Sequence, residues 1–187
     1  MEPVRRIRVA ALAGVLFCAV SAWGSDRGSG RHDGKPLPAA AKIDRLVIDK
    51  SERRMEAWSG EVLLKVYEVA LGKGKPGPKR MRGDNRTPEG RYRIDRRFVS
   101  QKFHRFLHVS YPSAADRERF AELKAAGRIS KSASIGGDIG IHGERKGLEW
   151  LPHKWVNWTQ GCIAVDNDEI EELYRAVKQN AEVVIRP

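Results

Sequence analysis

Disulfide bonds are the first thing this sequence cannot build. It has two cysteines in 187 residues. Cys18 falls inside an N-terminal apolar run, which leaves Cys162 without an internal partner. Long hydrophobic runs are also missing. Residues 9–22 form the longest, and about 14 residues fall short of the roughly 20 that a spanning helix needs. Arg5, Arg6 and Arg8 precede this run, and the small residues Ala22 and Gly24 follow it, so residues 1–24 read as a signal peptide cleaved near Ser25. Bulky Phe17 before Cys18 argues against lipoprotein processing, which wants a small residue there. The expectation is an exported protein of the periplasm or cell envelope with no transmembrane span after leader removal. In an oxidising compartment a lone Cys162 is either a buried passenger or a functional thiol.

Acidic balance is lacking as well. The formal charge is +11, and removing a leader with three arginines and one glutamate still leaves +9. Such a field favours polyanions: nucleic acid, an anionic membrane surface or an acidic wall polymer. No zinc-finger, RNA-recognition or helix-turn-helix signature accompanies the charge, so nucleic acid is not the expected partner. Internal repeats are absent, and strands do not alternate regularly with helices.

Residues 25–41 are Gly, Ser, Pro and charge, with almost no large apolar residue, and read as a flexible linker to one domain at 42–187. Strand patterns appear at 43–49, 53–58 and 62–71, with Ser59-Gly60 as a turn, and suggest an antiparallel meander. A basic, Gly- and Pro-bearing loop follows at 72–86. Thr87-Pro88-Glu89-Gly90 sets a tight turn before an alternating strand at Tyr92 and Ile94. Further strands are expected near 106–110, 138–142 and 182–185. Ser113 can cap a helix reaching Gly127, and Asp166 with Glu169 resembles a capping box for a helix to about Gln179 with Ile170, Leu173, Tyr174 and Val177 on one stripe. The expected fold is mainly β, a sandwich or open barrel with about two flanking α-helices.

Cys162 follows Gly161, and His142 stands twenty positions upstream at the end of an apolar strand. A thiol becomes a useful nucleophile when a nearby imidazole takes its proton and holds the thiolate as an ion pair. A glycine before the nucleophile lets the backbone turn, so the Gly161 and Cys162 amides are the candidate oxyanion donors. Asp138, Glu144, Asp166 or a backbone carbonyl would orient the imidazole. Trp150, Trp155 and Trp158 either line a substrate groove or pack a loop. His142, His153 and Cys162 are potential zinc ligands, but their spacing matches no common zinc pattern, and no metal is expected.

Ile-His-Gly at 141–143 and Thr-Gln-Gly-Cys-Ile at 159–163 resemble the His-Gly and Ser/Thr-His-Gly-Cys signature of the L,D-transpeptidase catalytic domain, the YkuD type. The Thr-Pro-Glu-Gly turn and the Ser-Tyr-Pro at 110–112 followed by Asp116-Arg117 resemble further motifs of compact bacterial members. The resemblance implies that Cys162 attacks a peptidoglycan tetrapeptide stem at the L-centre of diaminopimelate, releasing D-Ala, with His142 as general acid and base. The acyl group would pass to an amine of another stem (a 3-3 cross-link) or of an envelope protein, with no cofactor. Gly143, Trp158, Thr159, Gln160 and Tyr111 are candidates for substrate contact. Two departures stand out: Gln160 occupies a position where better-known members carry His, and Ala164 one where many carry Arg. A hydrolase using the same acyl-enzyme, an L,D-carboxypeptidase or an amidase, and a non-catalytic wall- or polyanion-binding module are the alternatives.

Overall fold

Apolar side chains recur on one face of the first strands because successive residues of a strand point to opposite sides. β1 (Ile43–Asp49), β2 (Arg54–Ser59) and β3 (Val62–Glu68) form the expected meander. Its register aligns Ile48 with Met55 and Met55 with Tyr67, all fully buried. The computed structural model describes residues 35–147, 149, 154 and 156–187. The stretch read as a signal peptide, with Cys18, most of the expected linker, Trp150, His153 and Trp155 lie outside the described residues.

β8 (Val177–Arg186), near the end of the chain, pairs parallel with β1 and carries the row on, with Ile185 opposite Ile48. β4 (Gly90–Ser100) joins two half-sheets. Its first residues pair with β8, and from Ile94 onward it pairs with β5 (His104–Val109). β6 (Gly140–His142) and β7 (Ile163–Ala164) complete a curled eight-stranded sheet in the order β3-β2-β1-β8-β4-β5-β6-β7. The mainly β half-barrel with two helices is the class the sequence leads one to expect. The parallel pairings of β1 with β8 and β6 with β7 are not legible in hairpin-like spacing.

α2 (Asn167–Ala176) starts at the predicted capping box, Asp166 with Glu169, and buries Ile170 and Leu173 in the core. Each such side chain contributes on the order of 1.5–3 kcal/mol by leaving water. The helix ends sooner than its apolar stripe suggests. Val177 is already extended and pairs with Ile43, so β8 begins at once rather than near residue 182. α1 (Ala114–Ala125) is capped by Ser113 and buries only Asp116, whose carboxylate accepts from Tyr92, Ser113 and Arg119. The linker also stops earlier than expected. Leu37, its one large apolar residue in the described part, is buried in the core, and its carbonyl accepts from Arg175.

Candidate active site

The parallel pairing of β6 with β7 brings His142 and Cys162 together. His142 is opposite Ala164, and Cys162 lies two residues before Ala164, just ahead of β7. Both line a groove of about 930 Å³. Gly140 permits this arrangement, because a Cβ there would lie 2.1 Å from Cε1 of Phe106.

His142 is 1% exposed and sits in an aromatic cradle. Its ring stacks on Phe103 at 4.2 Å and Phe106 at 5.8 Å, and meets Trp158 edge-on at 5.7 Å. Nδ1 lies 2.7 Å from the Gly143 carbonyl. A carbonyl only accepts, so Nδ1 carries the proton and Nε2 is the basic nitrogen of the neutral ring. The orienting partner is therefore a backbone carbonyl. Glu144 and Asp166, considered for this task, line a separate acidic cleft with Lys154, and Asp138 contributes its carbonyl, which accepts from Cys162 Sγ at 3.5 Å.

Burial pushes the Cys162 thiol up to about 11, against the Gly140 amide and the Lys79 charge, which favour the thiolate. Burial thus works against the ion-paired thiolate expected from sequence. Thr159 braces its loop, donating from Oγ1 to the Cys162 carbonyl at 2.7 Å and accepting from the Gly161 amide at 3.1 Å. That bond corrects one expectation: the Gly161 amide is engaged within the loop, so of the two candidate oxyanion donors it is the Cys162 amide that remains. Gly161 is needed for another reason. Its φ is +130°, and a Cβ would lie 2.8 Å from the Arg86 carbonyl.

The opposite wall is the 72–86 loop. It has no regular structure, yet Asp84 organises it, accepting from Lys79 Nζ at 2.6 Å and from the amides of Arg80, Met81 and Arg86. The predicted Thr-Pro-Glu-Gly turn fixes the end of this loop. Thr87 Oγ1 accepts from the Gly72 amide, while Lys50 Nζ donates to the Gly77 and Thr87 carbonyls and to Glu89. The groove is strongly cationic: Lys73, Lys79 and Arg82 line it from this loop, and Arg96, Lys102, Arg145 and Lys146 from β4, the β4–β5 turn and the segment after β6.

Residues 43–185 match the family model of the L,D-transpeptidase catalytic domain. The chain belongs to that family. It is similar to the Escherichia coli (strain K12) protein named "Putative L,D-transpeptidase YafK", with 26% identity over 138 residues, 71% of this chain and 46% of that protein. Solved structures share the fold, among them the following two. The helical cell shape determining protein Pgp2 from Campylobacter jejuni aligns with a TM-score of 0.57 at 21% identity, over 79% of this chain and 48% of its own. An L,D-transpeptidase from Mycobacterium smegmatis gives 0.51 at 13%, over 79% and 59%. The chain spans about half the length of the curated relative it matches.

In this L,D-transpeptidase domain, Trp158, Thr159 and Gln160 line the groove, and the Trp158 indole N–H has no partner among the described residues. Tyr111 and Gly143, also candidates for substrate contact, lie elsewhere. Tyr111 is buried against Tyr92, with its hydroxyl on the Ile135 carbonyl. Gly143 packs on α2, where a Cβ would meet Asn167 Oδ1 at 2.5 Å. Sequence reasoning missed Phe103, Phe106, His108 and the Lys79–Asp84 pair. Alternation along β5 puts Phe106 and His108 on one face and could have flagged those two; Phe103 lies before the strand, and nothing local marks it or Asp84.

Proposed function

We propose that this domain is an exported cysteine acyltransferase acting on peptidoglycan stem peptides. Cys162 Sγ attacks the carbonyl at the L-centre of the third stem residue as its proton passes to His142 Nε2. The imidazolium then protonates the departing D-Ala amine, and the acyl group is held as a thioester. The Cys162 amide is the oxyanion donor, and the Trp158 indole and Gln160 are substrate donors. An amine of a second stem or of an envelope protein receives the acyl group, and the cationic groove favours the carboxylate-rich stems.

One observation carries this reading: a histidine with its Nδ1 proton committed to a backbone carbonyl shares a groove with the free Cys162. Burial raises the thiol's pKa, and in this reading proton transfer accompanies attack instead of preceding it. Incubation with a disaccharide-tetrapeptide, read by mass, tests the proposal. A dimer lacking D-Ala indicates transfer and tripeptide indicates hydrolysis. Unchanged substrate with folded protein would sink the acyl-enzyme idea.

A further inference from the structure

The groove holds a second histidine that acylation does not use. His108 lies on β5, and the pairings of Phe106 with His142 and of His108 with Gly140 put both imidazoles on one face of the sheet. One step beyond the paired residues of β6 and β7, Cys162 falls beside Gly140, whose amide is directed at its sulfur. His108 and Cys162 are thus two strand spacings apart, about 10 Å between backbones, on either side of Gly140, over which the edge of the Phe106 ring lies. Both line the groove, and His108 is 7% exposed.

His108 is also built to be a base. A register shift between Ile94 and Arg96 bulges β4 at Asp95, a device that re-aims a side chain. Asp95 Oδ1 lies 2.6 Å from His108 Nδ1, and Gln179 Nε2 holds the Asp95 carbonyl at 2.7 Å. A carboxylate only accepts, so it keeps the proton on Nδ1 and leaves Nε2 as the basic nitrogen.

Proton accounting in the transfer step calls for such a group. An alkyl amine with an ordinary pKa of about 10.4 arrives as an ammonium ion. To become an amide nitrogen it forms one N–C bond to the thioester carbon, the C–S bond breaks, and two protons must leave. One travels through His142 to regenerate the Cys162 thiol. The other needs a second acceptor. We infer that His108 Nε2 takes this proton from the acceptor ammonium and releases it to solvent, with Asp95 as its positioning residue. Water attacks as a neutral molecule and gives one proton to His142, and the carboxylic acid it forms ionises unaided, so hydrolysis has no need of His108. The inference rests on the acyltransferase reading.

The test follows the protein with disaccharide-tetrapeptide and reads acyl-enzyme by intact mass together with the ratio of cross-linked dimer to tripeptide. His108→Gln lowers that ratio at least tenfold and lets acyl-enzyme accumulate; Asp95→Asn, at a half-exposed site, lowers it less. A groove merely loosened by substitution would slow acylation and transfer together and leave the ratio where it was. If wild-type protein forms acyl-enzyme and both variants keep its product ratio, the role of His108 is overturned. If wild-type protein forms no acyl-enzyme, the reading of the whole site falls and this role with it.

Discussion

The two halves of the sheet are held together by different means. In the half made of β3, β2, β1 and β8, strands of six to ten residues run side by side, and buried rows such as Ile185, Ile48, Met55 and Tyr67 cross it. In the half that carries the site, β6 and β7 have three and two residues, and close approach replaces strand length. Gly140, Gly143 and Gly161 each stand where a Cβ would meet another atom at 2.1, 2.5 and 2.8 Å. One half stores stability in apolar area; the other spends conformational freedom on placing two side chains. Substitutions should therefore fail differently in each.

The largest contrast is between chemistry and folding. Cys162→Ala should reduce acyl-enzyme formation to background with the unfolding transition kept, and His142→Ala should slow it about 10²- to 10⁴-fold. Ile48→Ala, in the other half, should cost about 2–5 kcal/mol in denaturant unfolding and leave the activity of the folded fraction intact. A catalytic defect in Ile48→Ala at full folding would break the division between halves. A smaller effect sharpens it. Gly140→Ala should cost about 1–3 kcal/mol and displace the Phe106 ring that stacks on His142, so activity and stability fall together. Adding Phe106→Ala should then cost less than the two changes separately, since they share one collision.

This division also explains what the sequence revealed. The strand patterns at 43–49 and 53–58, the Ser113 cap and the Asp166–Glu169 box are local signals, and the elements formed within a residue of where they fell. The pairing partners of β6 and β7 are not local, and three- and two-residue strands carry too few positions for a period. Gly161 was read as a turn for oxyanion amides, but its amide bonds to Thr159 and its missing Cβ makes room for the Arg86 carbonyl. That contact spans 75 positions of chain and leaves no mark in spacing. Asp84 shows the same limit, since a carboxylate in a basic loop looks solvated until its donors are seen.

The smallest effect concerns the charge state of the sulfur itself. An unfolded cysteine ionises near pH 8.5, whereas burial holds the folded Cys162 thiol up to about 11. Between these values the unfolded chain has lost a proton that the folded one retains, so stability falls as pH rises, by at most about 1.4 kcal/mol per pH unit. Below pH 8.5 both states are protonated and the contribution is fully present. Cys162→Ser removes this titration, so the stability of wild-type protein relative to Cys162→Ser should be flat up to about pH 8 and then decline by on the order of 1–2 kcal/mol by pH 10. Denaturant unfolding at a series of pH values measures the difference. A difference that stays level up to pH 10 would mean that burial does not hold the thiol up. A flat profile up to about pH 8, followed by decline, means that the folded site keeps a proton that the unfolded thiol has already lost.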